Sequence, residues 1–174
     1  MAAGIRARER GLDPVVFEYR SSPIDKACGE GLMPAALESL EALGVETSEL
    51  EGMPIRGIRY LDAASSNDGA VGAFSGGAGK GVRRLELHRA LERRADEAGV
   101  PVQRRRARAI ETGEGGVEVE GVRAHWLIAA DGLHSNLRDA AGLDASPSGP
   151  RRYGVRRHYE TSPWSRLVEV HWAA

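Results

Sequence analysis

The chain has 174 residues, of which 41% are hydrophobic and 28% are charged, a composition typical of a folded soluble domain. The 24 Lys and Arg residues balance 25 Asp and Glu residues, so the formal net charge of -1 gives no reason to expect nucleic acid or an anionic membrane as a partner. The single cysteine excludes an internal disulfide, and no stretch approaches the ~18 apolar residues of a membrane span. These features favour a domain of the reducing cytoplasm.

Residues 1–44 predict a helix, a strand, a loop and a second helix. The segment 2–10 is rich in Ala and Arg and favours a helix that Gly11 ends, and an Asp-Pro turn leads into a strand at 15–18. Residues 21–34, SSPIDKACGEGLMP, hold two prolines and two glycines and predict a structured loop. PAALESLEALG then predicts a helix that begins at its proline and ends at its glycine.

A hairpin and a long amphipathic helix follow. Residues 57–74 place GIRYLDA and AVGAF on either side of SSNDG, which favours a tight turn between two strands. After a glycine-rich link, RRLELHRALERRADEAGV predicts a helix with an apolar stripe. The stripe consists of Leu87, Leu91, Ala95 and Ala98.

The remaining residues predict strands and a domain boundary. PVQRRRARAIE and GVEVEG indicate strands joined by TGEG, and VRAHWLIAADG ends in an apolar run that predicts a parallel strand covered on both faces. SPSGP at 146–150 predicts a linker. We therefore expect one domain at 1–149 and the start of a second sheet at 150–174, with the chain cut at both ends.

Two segments hold candidate binding residues. Glu18 ends a predicted strand, where a carboxylate can accept hydrogen bonds from the hydroxyls of a ribose; the alternative is an ordinary exposed acid. In the loop 21–34, Gly29 and Gly31 let the backbone approach a flat ligand closely, while Cys28 is small and reducible; the alternative is a plain loop glycine pair with a buried cysteine.

A third segment, LIAADGLHSNLR at 127–138, is the most specific of the candidates. Asp131 and Gly132 follow the predicted strand and can face a phosphate or a ribitol. Ser135 and Arg138 are close enough in sequence to fix the acid and to cap the next helix. The alternative is a strand-turn-helix junction with Asp131 as the helix N-cap, which accounts for the acid but not for the whole segment.

Four ordered segments give the chain a family resemblance. VVFE, DKACGEGLMP, GVRRLELHRAL and LIAADGLHSNLRDAAGL together resemble the FAD-dependent monooxygenase superfamily, the para-hydroxybenzoate hydroxylase-like group that includes geranylgeranyl reductase-like flavoproteins. The resemblance covers the whole chain but only the first half of a family member. It implies an α/β fold, an incomplete doubly wound FAD-binding domain with a β-hairpin insertion and the first strands of a substrate domain.

The resemblance implies that the cofactor contacts are spread over the chain. Glu18 matches the acid that binds the adenosine ribose. Cys28 and Gly29 match the loop beside the flavin and its ribitol, and Arg84, rather than Arg83, matches the arginine that reaches the cofactor from the start of its helix.

The Asp-Gly motif of the family matches the third segment. Asp131 and Gly132 are the motif residues, which the family associates with cofactor contacts and, in hydroxylases, with pyridine nucleotide. Ser135 and Arg138 match its supporting positions. No residue is assigned a catalytic role.

The activity that the resemblance implies is that of an FAD-dependent oxidoreductase. NAD(P)H would reduce the flavin, and the reduced flavin would use dioxygen to oxygenate a small organic substrate. One alternative, suggested by CGEGL, is a reductase that saturates isoprenoid double bonds. Another is a non-catalytic truncated remnant or interaction module, completed by an unidentified partner chain or by none.

Two departures from the family pattern bear on activity. The first strand and its GxGxxG are absent, because Met1 falls just after the position of the last glycine, and a downstream Gly-Asp motif is also absent. Loss of a central strand removes roughly 10 kcal/mol of apolar burial, against a domain stability of about 5–15 kcal/mol. We therefore expect the chain by itself to be inactive and to hold no stoichiometric FAD.

Other patterns have plainer interpretations. The arginines of RRRAR, at 104–108, are expected on a solvated strand face, because no aromatic residue interleaves with them, so nucleic acid is not an expected partner. The five histidines show no metal-ligand spacing, so no metal is expected. Ser135 lies in LHSNL, which is not a nucleophile elbow.

Overall fold

The computed structural model describes residues 1–62, 69–145, 149 and 153–172. The chain divides into two compact units, of which the first contains Met1–Val16, Ser21–Pro101 and Gly154–Ala174. The second unit contains Phe17–Arg20 and Val102–Tyr153. Both helices and strands are present, so the mixed α/β character of the prediction is confirmed.

The helices and strands are short. The helices are α1 (Ala2–Glu9), α2 (Pro34–Ala42), α3 (Arg84–Glu97) and α4 (Asn136–Ala140), with one 3-10 turn at Thr47–Glu49. The strands are β1 (Val16–Phe17), β2 (Gly31–Leu32), β3 (Gly52–Ile55), β4 (Gly57–Asp62), β5 (Ala70–Ala73), β6 (Gly79–Val82), β7 (Val102–Gln103), β8 (Glu111–Gly113), β9 (Gly116–Val119), β10 (Val122–Ala124) and β11 (Leu167–Trp172). In the part of the chain that the structure describes, no helix has the length and apolar character that crossing a membrane requires.

The three helices of the first unit begin and end where the sequence predicts, to within one or two residues. Pro34 occupies the first turn of α2, where its missing N–H costs no helical hydrogen bond. Gly44, which follows α2, has a φ of 76°, and Gly99, which follows α3, has a φ of 67°. Such left-handed residues end a helix without the steric cost that a Cβ atom would bring.

The core of the first unit lies between these helices. Ile5 on α1 and Ala95 on α3 are both fully buried, and Leu87, Leu91 and Ala98 pack against the same cluster. The predicted apolar stripe of α3 is therefore confirmed. The buried members of the cluster are Ile5, Leu40, Leu43, Val45, Leu50, Val82, Ala90, Ala95 and Val100.

Two three-stranded sheets belong to the first unit. Strand β6 lies between β2 and β3, and both pairings are antiparallel. Strand β4 pairs with β5 antiparallel and with β11 parallel. The predicted hairpin of β4 and β5 is confirmed, while its predicted turn lies mostly in 63–68, outside the described residues.

The second unit contains an antiparallel sheet in the order β8, β9, β10 and the short helix α4. Strands β1 and β7 form a separate two-stranded sheet. After β1, the backbone N–H of Glu18 donates to the carbonyl oxygen of Gln103, at 3.1 Å. This hydrogen bond extends the pairing of β1 and β7 to Glu18, the acid that the sequence predicts at the end of the strand.

Two strand predictions in this unit are wrong. The arginine-rich residues 104–110 lie outside any strand, and two of their backbone N–H groups bond outside a strand ladder: that of Arg105 donates to the carbonyl oxygen of Gln103 at 2.8 Å and that of Arg108 to Glu120 Oε1 at 2.9 Å. The apolar run 126–130 is also not a strand, and Trp126 is 76% and Ile128 is 69% exposed. A covered strand needs hydrogen-bonded neighbours, and within the described residues none lies beside this run.

Candidate functional site

Glu18 is held at the end of β1 by its own backbone and side chain. It is half-buried, and its Oε1 accepts a hydrogen bond from the backbone N–H of Arg20 at 2.9 Å. The hydrogen bond from the Glu18 backbone N–H to Gln103 fixes the backbone of Glu18, and the bond from Arg20 fixes the position of its carboxylate. The structure thus places the acid at a strand end, as predicted.

Two arginines of the RRRAR segment lie over the aromatic rings of Phe17 and Tyr19, the neighbours of Glu18. The guanidinium of Arg106 lies 4.5 Å from the centre of the Tyr19 ring, and that of Arg105 lies 5.5 Å from the Phe17 ring. No local sequence pattern indicates these ring contacts, because the rings come from a segment far away in the chain. The contacts stabilise the arginines by cation–π attraction, an ordinary structural role.

The loop before β2 presents a thiol and an open backbone. Cys28 is half-buried and free, and its Sγ accepts from the backbone N–H of Glu30 at 3.5 Å. A Cβ atom on Gly29 would meet nothing within 4 Å, so the backbone at this position is accessible to a ligand. Both properties fit the prediction that this loop lies beside a flat cofactor.

Glu30, which the sequence analysis missed, is the most connected residue of this loop. Its Oε1 accepts from the backbone N–H of Arg84 at 2.9 Å and from Nη1 of Arg156 at 3.1 Å. Its Oε2 lies 2.6 Å from Nε2 of His158. Arg156 also donates from Nη2 to both carboxylate oxygens of Asp25, at 2.9 and 3.1 Å.

The charge on Glu30 is stabilised by these partners. Burial of the carboxyl raises its pKa, but the hydrogen bond from the Arg84 backbone N–H and the proximity of His158 and Arg156 outweigh it, so the pKa lies below its ordinary value. The side chain is only 15% exposed. The carboxylate therefore remains ionised at neutral pH in a partly dehydrated position.

Arg84 is the first residue of α3, as the resemblance implies for the cofactor arginine. Its backbone N–H is occupied by Glu30, whereas its side-chain Nε is buried and has no hydrogen-bond partner among the described residues. A buried unpaired donor is costly unless something accepts from it. Arg83, by contrast, is 57% exposed and has its Nε 3.9 Å from Glu30, which supports Arg84 as the better candidate.

The Asp-Gly segment forms a closed hydrogen-bond network. Ser135 Oγ donates to Asp131 Oδ1 and accepts from the backbone N–H of Arg138 at 2.9 Å. Ser135 is therefore the N-cap of α4, and the alternative assignment of that role to Asp131 is wrong. Arg138 in turn donates to the Leu133 carbonyl oxygen and to Asp144, at 3.0 and 2.8 Å.

The carboxylate of Asp131 is held by the turn that follows it. Partial burial raises its pKa, but the hydrogen bond from Ser135 and those from backbone N–H groups, including that of Leu137, give a net lowering. Gly132 adopts a φ of 93°, which a residue with a side chain would adopt only with strain. The motif thus presents an ionised acid next to a glycine in a conformation that requires glycine.

Most of the predicted site residues fall into two hydrogen-bonded groups, one in each unit. Cys28, Gly29 and Arg84 are linked through Glu30 in the first unit. In the second unit, Asp131, Ser135 and Arg138 are linked directly. The one signal for Glu30 in the sequence was an acid between two glycines, and Arg156 and His158 gave no signal because they are more than a hundred positions away.

The helices and strands define a mixed α/β protein, and comparison with known proteins shows its family. The profile of the family described as FAD binding domain matches residues 1–168. The chain therefore belongs to the FAD binding domain family, and its resemblance to FAD-dependent monooxygenases and geranylgeranyl reductase-like flavoproteins is confirmed.

Two curated relatives are reductases. The chain is 34% identical to digeranylgeranylglycerophospholipid reductase 1 of Methanopyrus kandleri over 151 residues, which are 79% of this chain and 38% of the relative. It is 32% identical to menaquinone reductase of Mycobacterium tuberculosis over 170 residues, which are 92% of this chain and again 38% of the relative. The chain therefore spans well under half the length of these proteins.

Solved structures show the same fold. The tetrameric form of 2-methyl-3-hydroxypyridine-5-carboxylic acid oxygenase matches 81% of this chain and 38% of its own, with a TM-score of 0.67 and 24% identity. The Diels-Alderase PyrE3 of pyrroindomycin biosynthesis also matches 81% of this chain and 32% of its own, with a TM-score of 0.68 and 22% identity. At these identities the likeness establishes the fold and not the reaction.

The residues in place fit an FAD group. A dinucleotide needs an acceptor for its ribose hydroxyls, a cation or donor for its charged oxygens and open backbone where the ring system lies. Glu18 is a half-buried acceptor, Arg84 has a buried donor with no partner in the described chain, and Gly29 has open space around it.

Proposed function

We propose that the chain forms part of the FAD site of a flavin-dependent oxidoreductase. The observation that carries the proposal is the family match over residues 1–168 combined with the unpaired buried Nε of Arg84. The cofactor contacts would be Glu18, Cys28, Gly29, Arg84, Asp131 and Gly132, supported by Ser135 and Arg138.

Each proposed contact has a distinct task. Glu18 would accept from the ribose hydroxyls, since it is a carboxylate at a strand end. Arg84 would donate from its buried Nε to a charged or carbonyl oxygen of the cofactor. Gly29 and Gly132, which have no Cβ atom, would let the protein backbone approach the cofactor closely. Asp131, whose ionised form accepts a hydrogen bond from Ser135, would accept another from a ribitol hydroxyl. The bound flavin would supply the electron transfer.

Two reaction modes fit this cofactor, and both would use NAD(P)H as the electron donor. In the first, the protein is a monooxygenase that acts on a small organic substrate. In the second, it is a reductase of isoprenoid-type double bonds. Both relatives named above are reductases, and the name of digeranylgeranylglycerophospholipid reductase 1 favours an isoprenoid substrate, while the oxygenase likeness supports only the fold.

We also propose a cytoplasmic location and a domain boundary near residue 150, as the linker sequence predicts. The doubly wound arrangement of the complete FAD domain is part of the same proposal. So is the absence of nucleic acid as a partner, because Arg105 and Arg106 lie over the rings of Phe17 and Tyr19 and Arg104 donates to the carbonyl oxygen of Arg20.

The cofactor assignment is tested by substitution in the full-length gene product that carries these residues. Glu18→Ala should weaken FAD retention during gel filtration by about tenfold or more, since a hydrogen bond to a charged group contributes about 1.5–3 kcal/mol. The matched control is Glu114→Ala, which removes an exposed acid from a turn of the same unit. Equal retention in both variants would remove Glu18 from the site.

The reaction mode is tested with an oxygen electrode. A monooxygenase consumes dioxygen in step with substrate-dependent NAD(P)H oxidation, whereas a reductase of double bonds transfers the same electrons to its substrate without that consumption. A full-length protein that binds no FAD and oxidises no NAD(P)H in this assay would support the non-catalytic alternative.

A further inference from the structure

Glu30 occupies a backbone conformation that its side chain does not favour. Its φ is 55°, and within the described residues Glu120 is the one other non-glycine residue with a positive φ. Gly29 and Gly31 flank it, so the chain has residues that adopt such conformations without strain on both sides. An acid kept at a strained position between two glycines indicates that the carboxylate itself is needed there.

The carboxylate of Glu30 joins three separate segments. It accepts from the Arg84 backbone N–H at the start of α3, where the cap residue Arg83 provides no side-chain hydrogen bond. It also binds Arg156 and His158, which follow more than 120 positions later in the chain. Its own backbone N–H bonds to Cys28 Sγ, so the Cys28–Gly29 turn is fixed by the same residue.

The position of the Arg84 side chain depends on the hydrogen bond that the Arg84 backbone N–H donates to Glu30. The only partner that the structure gives its backbone N–H is Glu30, and its side-chain Nε is buried without a partner among the described residues. The guanidinium can hold a fixed position only if the first turn of α3 does. The neighbouring acids of α3 offer no substitute, since Glu86 pairs with Arg89 and Glu92 binds Ser22.

We infer that Glu30 is a positioning residue: its carboxylate ties the first turn of α3, the Cys28–Gly29 turn and the Arg156–His158 segment together and thereby sets Arg84 for the cofactor. The inference rests on the proposed function, which assigns Arg84 to FAD. Glu30 acts through Arg84 and does not itself contact the cofactor. Arg156 would keep the carboxylate in place, since it is itself anchored on Asp25.

A double-mutant cycle on FAD affinity tests this role in the full-length gene product. Glu30→Gly and Arg84→Gln should each weaken FAD binding by about tenfold, and the double variant should be no more than about threefold worse than the weaker single variant. Glycine is chosen because it suits the φ of 55°, so loss of affinity cannot come from backbone strain. A role of Glu30 in stability alone would leave the two losses of FAD affinity additive, whether or not the melting temperature falls.

A second readout needs no cofactor. Hydrogen–deuterium exchange at the Arg84 amide should speed up at least tenfold in Glu30→Gly, should change less in Glu30→Gln, which keeps an acceptor oxygen, and should not change in the exposed control Glu38→Gln. Unchanged exchange in Glu30→Gly would overturn the inference.

The two proposals fail in different ways. Additive losses in a protein that does bind FAD would overturn the role of Glu30 and leave the proposed function intact. A wild-type protein that binds no FAD would overturn the proposed function, and with it the role of Glu30 toward a cofactor.

Discussion

The ionised carboxylate of Glu30 should make the protein measurably dependent on pH, and Glu30→Gln isolates that dependence. Glutamine preserves the size of the side chain and one acceptor oxygen but removes the charge that Arg156 and His158 bind. The Glu30 side chain is 15% exposed, so solvent screens these contacts only partly. Since a hydrogen bond to a charged group contributes about 1.5–3 kcal/mol and such contributions do not add fully, we expect a loss of about 2 kcal/mol at pH 7.

The direction of the pH effect follows from the lowered pKa of Glu30. The contribution is complete above the unfolded-state pKa of about 4.3 and is lost as the pH falls through the folded-state value. Urea unfolding of both proteins at several pH values should therefore show a difference of about 2 kcal/mol at pH 7 that shrinks below about pH 4. Glu38→Gln, on the exposed side of α2, should show no such difference.

A difference in unfolding free energy that stays constant from pH 7 into the acid range would refute this reasoning. So would the absence of any difference at pH 7, because the hydrogen bonds of Glu30 would then contribute nothing beyond those of a neutral amide.

Two further changes test the packing that supports α3. Ile5→Ala should lower the free energy of unfolding, measured in urea, by about 2–5 kcal/mol, since Ile5 is fully buried. Leu12→Ala, at a residue that is 48% exposed, should change it by less than about 0.5 kcal/mol. Similar losses in both variants would contradict the assignment of Ile5 to the core. Gly44→Ala should lower the melting temperature through a loss of about 1–3 kcal/mol, because the new Cβ would lie 2.5 Å from Arg94 Nε at a φ of 76°, and an unchanged melting temperature would contradict that geometry.

The local elements could be predicted from the sequence because their signals are local. The helices α1, α2 and α3 were expected from runs of helix-forming residues, a first-turn proline and terminal glycines, and each of those residues acts within a turn or two of its own position. The β4–β5 hairpin was expected for the same reason, since its two strands are neighbours in the chain.

The errors concern contacts between distant residues. The apolar run 126–130 predicted a covered strand, but apolar composition alone does not supply the neighbouring strand that its backbone requires. The arginines of 104–108 predicted a strand face, whereas the guanidinium groups of Arg105 and Arg106 lie over the rings of Phe17 and Tyr19.

The candidate site shows the same division. Glu18, Arg84 and Asp131 are candidates from the sequence because each lies in a motif that the family resemblance covers, and their contact with a cofactor stays a prediction. Glu30 was missed because its importance comes from Arg156 and His158, which no local pattern associates with it. Likewise, Asp131 was a candidate for the N-cap of α4 by sequence, but Ser135 has the side-chain oxygen in reach of the Arg138 N–H.

The central claim is that Arg84 donates to FAD from the start of α3, and an equilibrium titration tests it most directly. Flavin fluorescence would be followed as FAD is added to the full-length gene product, to its Arg84→Gln variant and to Arg89→Gln, which removes an exposed arginine of the same helix paired with Glu86. The account predicts one FAD bound per wild-type chain, an affinity about tenfold or more lower for Arg84→Gln and an unchanged affinity for Arg89→Gln. Failure of the wild type to bind FAD, or equal affinities in all three proteins, would contradict it.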